Sequence, residues 1–249
     1  MKFCRFSVNS GDASWGVLLD DRVQEIVGKP WVGKLEYRSR SYSPNEVVFL
    51  APCEPKTVVG VAQNYSTSCD ENKKSSQPLF FLKSPRSLNR SQDHVILPAG
   101  TSNAWGEAEL AFLVGGNETS DQSLSIFGYL IANDITRENL DGLDHHLAYS
   151  KSPLGFCPVS NFLDSSFEPK DQLINADHNM VPLRRGRLSD RVLNDREILS
   201  ALESWLPLEP GDLVLTGTPP RIRDRQYLAP GDTFDSGIEG LGFLRTYIG

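Results

Sequence analysis

Two glutamates one residue apart, Glu107 and Glu109 in Gly106-Glu107-Ala108-Glu109-Leu110-Ala111-Phe112-Leu113-Val114, form the most chemically suggestive pair in this sequence. In a strand, alternate side chains share a face. The two carboxylates would then lie side by side, with Ala108, Leu110, Phe112 and Val114 on the opposite, core-facing side. Neighbouring like charges repel, and burial sharpens the conflict. A divalent cation removes it, although a solvated strand face fits the same spacing. Asp134 adds a third carboxylate at the end of the apolar run Phe127-Gly128-Tyr129-Leu130-Ile131-Ala132-Asn133. The Asn133-Asp134 pair also suits a turn, and the residues alone leave both readings open. If the three carboxylates converge, their oxygens select a hard ion such as Mg²⁺, Mn²⁺ or Ca²⁺ rather than zinc.

Lys151, in Lys151-Ser152-Pro153-Leu154-Gly155-Phe156-Cys157-Pro158, is either a surface lysine or a partner for that cluster. One ammonium would balance three carboxylates and a divalent ion, and it could donate to an oxyanion. Thr216-Gly217-Thr218-Pro219 follows the run Leu213-Val214-Leu215. Such a segment makes a tight turn, or it offers backbone N–H groups to a carboxylate. Arg184, Arg185, Arg187 and Arg191 form a basic stretch that is either a solvated loop face or a grip on a distal carboxylate. The histidines are His94, His145, His146 and His178; His145 and His146 could fold over a site as part of a lid, or lie on the surface.

These residues need elements to position them. The 249 residues suffice for one large domain with a small appendage, and 39% hydrophobic content supports a packed core. A net charge of −7 argues against nucleic acid or an anionic membrane surface as partner. Cys4, Cys53, Cys69 and Cys157 are widely spaced, which suggests neither a zinc site nor a disulfide framework and fits reduced thiols in a cytoplasm. Neither a signal peptide nor a bilayer span is expected, because the apolar runs are short.

Residues 2–27 read as β-structure, and roughly 1–55 as a small β-rich N-terminal appendage, with 56–249 as the main domain. Strand candidates follow at 79–82, 106–114 and 126–133. One helix is well marked: Asn194 as cap, Glu197 closing a capping box, then Ile198, Leu202 and Trp205 at helical spacing. Pro210-Gly211-Asp212 and Pro230-Gly231-Asp232 repeat one type II turn signature. The class is mostly β with some α.

Read in order, VVGVAQNY (58–65), PLFFLKSP (78–85), ILPAG (96–100), GEAELAFLVG (106–115), GYLIANDIT (128–136), KSPLGFCP (151–158), LEPGDLVLTGTP (208–219) and LAPGDTFDSGIEGLGFL (228–244) resemble the fumarylacetoacetate hydrolase family, including its acylpyruvate hydrolases and 2-hydroxyhepta-2,4-diene-1,7-dioate isomerases. The resemblance runs from about residue 56 to the last residue. It implies a rolled, mixed β-sheet fold and a homodimer. It also implies a divalent metal, Mg²⁺ foremost, on Glu107, Glu109 and Asp134. Lys151 would stand beside a metal-bound 2-oxo acid, and Lys83 and Thr218 would line the pocket, Thr218 near the substrate's carboxylate. Family members hydrolyse, decarboxylate or isomerise 2-oxo acids.

The departures lie around the metal shell. Ser68 stands where family hydrolases carry a histidine, followed by Glu71 where they have a glutamate. Glu138 replaces an arginine four residues after the metal-binding aspartate, with Arg137 one position earlier. Leu154 replaces an aspartate, and Leu183-Arg184 falls on the family's arginine–glutamine pair. Decarboxylation and keto–enol tautomerisation pass through a metal-stabilised enolate and need no histidine. Hydrolytic C–C cleavage needs a base for water, worth about 10²–10⁴-fold, and Glu71 could serve if burial raises its pKa. The expectation is therefore a metal-dependent hydrolase or lyase on an acylpyruvate or β-oxo diacid, with an isomerase or a ligand-binding, catalytically impaired member as alternatives.

Overall fold

The computed structural model describes residues 1–9, 11–65, 79–116, 124–139 and 142–249. Among these, strands dominate and form one thirteen-stranded sheet, one of five strands and one of two. The path through the large sheet runs Tyr37–Tyr42, Arg22–Ile26, Ser14–Leu19, Lys2–Ser7, Leu163–Asp164, Leu124–Asn133, Ala108–Gly116, Leu213–Leu215, Val58–Ala62, Leu79–Lys83. The N-terminal strands thus hydrogen-bond into the main sheet, through Lys2 opposite Asp164 and Phe3 opposite Leu163.

The glutamate-bearing strand, Ala108–Gly116, is central. It pairs antiparallel with Leu124–Asn133 on one side and with Leu213–Leu215 on the other. Alternation predicted one core face and one carboxylate face. The structure buries every side chain from Ala108 to Val114, because both sheet faces are covered. Ala108 and Leu110 pack against Ile174, Leu183, Phe234 and Leu244 of the five-stranded sheet. Ala111 and Leu113 pack with Phe3, Trp15 and Trp31 of the N-terminal region. Phe112 and Val114 pack under Ile198, Leu199 and Leu202 of the Asp195–Glu203 helix.

That helix begins as its sequence predicts. The Asn194 side chain accepts from the N–H groups of Arg196 and Glu197, and Glu197 Oε2 accepts from Asn194 N–H at 2.8 Å. Its end differs: Trp205 lies beyond the last turn and is exposed. The buried apolar face of the helix consists of Ile198, Leu199 and Leu202 instead. Both Pro-Gly-Asp segments turn as expected, with Gly211 and Gly231 at φ of +105° and +94°, angles that suit glycine. Asp212 also braces the start of the main domain by accepting from the Lys56 and Thr57 N–H groups at 3.1 and 2.8 Å.

No helix among the described residues is long and apolar enough to cross a membrane.

Candidate metal centre

Register brings the three carboxylates together. Ala108 stands opposite Asn133, and Glu109 opposite Ala132. The ladder continues one step past the strand ends, where Asp134 N–H donates to the Glu107 carbonyl at 2.8 Å. Glu107, Glu109 and Asp134 each offer a carboxylate oxygen, and the three oxygens lie within 4.8 Å of one another. Asp134 is fully buried and Glu109 nearly so.

Two lysines meet the cluster. Lys151, at the end of the short Ala148–Lys151 helix, donates to Asp134 Oδ2 at 2.5 Å and Glu107 Oε2 at 2.8 Å. Lys83, the last residue of Leu79–Lys83, donates to Asp134 Oδ1 at 2.6 Å and to the Lys151 carbonyl. The sequence reading balanced the site with Lys151 alone. With Lys83 buried there too, three carboxylates and two ammoniums leave one negative charge. A divalent ion would turn this into one positive charge.

The cluster's pKa values follow from these contacts. Burial alone would raise the Glu107 carboxyl, but the Lys151 ammonium, the Arg184 guanidinium and the Trp105 N–H overrule it and hold it at about 2. Glu109 goes the other way: burial, then repulsion from Asp134 and Glu107, pushes it well above the ordinary value. Burial alone would lower Lys151, yet Asp134 and Glu107 raise it, so it stays charged. Glu109 is thus a buried carboxylate short of positive charge. Together with an all-oxygen donor set, this fits a hard divalent ion.

The remaining predicted residues fall into place unevenly. Gly217 has a partner other than the one expected, since its N–H donates to Glu109 Oε2 at 2.6 Å and so braces a cluster carboxylate. Its φ of +96° and the Asn64 Cβ, which would lie 2.9 Å from an added Cβ, require glycine there. Among the described residues Thr218 Oγ1 is buried without a hydrogen-bond partner, as are Tyr65 Oη and Ser150 Oγ. Arg137 is half-buried, with its guanidinium 3.8 Å from the Tyr149 ring centroid and donating to Tyr149 Oη at 2.5 Å. Glu71 and Ser68 lie outside the described residues.

In the basic stretch the Arg191 side chain is buried as well as that of Arg184, but it is Arg184 that meets the cluster. It is buried and donates to the Pro219 carbonyl at 2.8 Å, to the Gly106 carbonyl at 3.3 Å, and to Glu107 Oε1 at 3.5 Å. Arg185 is exposed, Arg187 pairs with Asp171 at 2.9 Å, and Arg191 pairs with Asp195. His145 and His146 are exposed, and His178 bonds Asp232 at 2.9 Å.

Sequence reasoning missed three contributors. Asn64 ties the threonine–glycine loop down, donating to the Thr216 carbonyl at 2.8 Å and accepting from Leu193 N–H at 2.8 Å. Trp105 Nε1 donates to Glu107 Oε1 at 3.0 Å. Arg225 lays its guanidinium 3.9 Å from the Trp105 ring centroid. Its signal was the run Arg221-Ile222-Arg223-Asp224-Arg225, directly after Thr216-Gly217-Thr218-Pro219-Pro220.

Comparison with known proteins places this arrangement among relatives. The family profile described as "Fumarylacetoacetate (FAA) hydrolase C-terminal" matches residues 57–248, and the one described as "Rv2993c-like, N-terminal" matches residues 1–52. A 2,4-didehydro-3-deoxy-L-rhamnonate hydrolase from a Sphingomonas species is 27% identical over 275 aligned positions, covering 100% of this chain and 96% of that protein. The crystal structure of a 2-hydroxyhepta-2,4-diene-1,7-dioate isomerase from Mycobacterium marinum superposes with a TM-score of 0.85 at 27% identity, covering 100% of this chain and 98% of the other. A Mycobacterium abscessus structure gives a TM-score of 0.88 at 25% identity, covering 100% and 99%.

Proposed function

Because this chain belongs to the fumarylacetoacetate hydrolase family, we propose that it is a divalent-metal-dependent hydrolase or lyase that breaks a C–C bond beside the keto group of a small 2-oxo acid, an acylpyruvate or a β-oxo diacid. Residues 56–249 would form the catalytic unit, with 1–55 as its appendage. The observation that carries this reading is the convergence of Glu107, Glu109 and Asp134 oxygens within 4.8 Å, capped by the Lys151 ammonium.

Glu107, Glu109 and Asp134 would hold the ion, Mg²⁺ foremost. Bound there, it supplies Lewis acidity to the keto oxygen of the substrate. The protein's own groups do the rest. Lys151 has three donors, two of them committed to Glu107 and Asp134. The third has no acceptor among the described residues and would meet an oxyanion as negative charge develops. Thr218 Oγ1 offers a hydroxyl without a partner to the substrate's carboxylate. Lys83 holds Asp134 and the Lys151 carbonyl in place. Glu71 is the candidate base for water in a hydrolytic step.

Isomerisation or tautomerisation at the same site is the second reading. Serine at position 68 favours it, because a proton shift needs no activated water. The test is to strip the purified protein of metal, return Mg²⁺ or Mn²⁺, and offer oxaloacetate and acylpyruvates. Carbon dioxide release or C–C hydrolysis supports the first reading, and enol decay without net breakdown supports the second. If Glu107→Ala turns over as fast as wild type, or metal removal changes nothing, the metal-dependent reading falls.

A further inference from the structure

Beside the acidic cluster, on the Glu107 side, stands a group of cations without matching acids. Arg184 and Arg221 are paired through their backbones. The side chains of Arg221 and Arg225 lie close enough to Arg184 to repel it. Among the described residues, Arg184 has a single acidic contact, the 3.5 Å approach to Glu107 Oε1, and Glu107 already serves Lys151 and Trp105. Neither Arg221 nor Arg225 pairs with an acid among the described residues, and Asp224 between them pairs with neither.

Arg225 is nevertheless held in place. Its guanidinium carbon lies 3.9 Å from the Trp105 ring centroid, a cation–π contact. Its Nε is buried with no hydrogen-bond partner among the described residues. The Thr218 hydroxyl, equally without a partner, is one residue from Pro219, whose carbonyl fixes Arg184. Three like charges brought together, with one buried donor unmet, are costly unless an anion joins them. The Trp105 indole N–H links this group to the cluster through Glu107, so the two regions adjoin.

We propose that Arg225 on the Trp105 face, flanked by Arg184 and Arg221, is an anion subsite for the substrate's far end, and that this end carries a second carboxylate. The inference rests on the preceding reading of where the 2-oxo acid end binds. It distinguishes a 2-oxo diacid from a 2-oxo monoacid whose tail is alkyl or polyhydroxylated. A planar guanidinium takes a carboxylate through two parallel N–H bonds, which a neutral tail cannot exploit.

The experiment is calorimetric binding to the full-length protein with Mg²⁺ present, so it needs no turnover. Oxalate measures the 2-oxo acid end alone. 2-Oxoglutarate against 2-oxopentanoate, and 2-oxoadipate against 2-oxohexanoate, measure the far carboxylate at matched length. In wild type, at least one diacid should bind about tenfold more tightly than its monoacid, the gain expected of a charge-assisted contact. In Arg225→Gln that advantage should shrink to about twofold or less, with the thermal midpoint confirming a folded protein. Arg225→Lys, which keeps the charge without the planar fork, should fall between, and it carries the test if the glutamine variant does not fold. Oxalate binding with no diacid advantage would overturn the subsite and spare the metal-site reading. Failure of oxalate to bind with Mg²⁺ would overturn both.

Discussion

The acidic cluster and the arginine group adjoin, yet they solve opposite electrostatic problems. In the cluster, Asp134 and Lys83 are wholly buried, and each ammonium reaches at least one carboxylate oxygen at 2.8 Å or less. In the arginine group, Arg221 is exposed, Arg225 half-buried, and neither meets an acid among the described residues. A buried charge must be paired to exist at all, whereas a charge near water can stay single and keep its capacity for a ligand. The inner region is therefore expected to govern folding and ion binding, and the outer one the choice among substrates.

The largest expected effect tests the inner half of that contrast. Lys83→Met removes an ammonium from Asp134 Oδ1 and from the Lys151 carbonyl, at a place water does not reach. Breaking one side of a buried ion pair costs about 3–5 kcal/mol, and urea denaturation would read it as a lower midpoint at unchanged slope. Arg221→Gln, removing a charge with no acidic partner, should shift stability by no more than about 0.5 kcal/mol. Equal losses from the two substitutions would erase the distinction between the regions.

How far each region could be read from sequence follows the same divide. The cluster was legible because the carboxylates and the ordered motifs lie on or directly beside two neighbouring strands. Glu107 and Glu109 are local, and Asp134 directly follows the neighbouring strand, so one antiparallel register suffices to join them. The arginine group was opaque because its parts come from separate segments: Trp105 before the central strand, Arg184 in a hairpin of the other sheet, Arg225 in a loop. No periodicity links such positions. The basic stretch at 184–191 divides for a related reason. A strand sends neighbours to opposite faces, so Arg184 is buried while Arg185 is exposed. Lys83 was placed through resemblance, but its role in the charge balance needed the structure.

The second prediction sets two carboxylates of the cluster against each other. Glu109 is raised in the folded protein, so the folded state holds its proton more tightly than the unfolded chain does. Stability of the ion-free protein should then fall as pH rises above the ordinary 4.5 and through the folded value. Glu107, held at about 2, contributes stability that is complete above 4.5 and lost as pH falls toward 2. The ion-free protein is expected to be most stable in mild acid. Mg²⁺ at a hundred times its dissociation constant should add about 2.7 kcal/mol, with the larger gain at neutral pH because ion and proton compete for Glu109. Thermal melts across pH, with and without Mg²⁺, measure this. In Glu109→Gln both the decline above 4.5 and most of the Mg²⁺ gain should vanish; a wild-type Mg²⁺ response in that variant would remove Glu109 from the ligand set.

The smallest effect falls on an aromatic side chain that touches both regions. Trp105 gives its N–H to Glu107 and its face to Arg225. Phenylalanine keeps a face and loses the donor, so Trp105→Phe separates the two contributions. Losing one hydrogen bond to a carboxylate that Lys151 and Arg184 still hold should cost about 1 kcal/mol. The acid limb of the stability curve should move slightly upward in pH as Glu107 rises from about 2. The diacid preference should survive in reduced form, because a smaller ring still seats the guanidinium. If that preference disappears while the acid limb stays in place, the indole positions Arg225 alone. A shifted acid limb with the full diacid preference retained would instead make the ring a prop for Glu107, and the stacking on Arg225 would then carry no specificity.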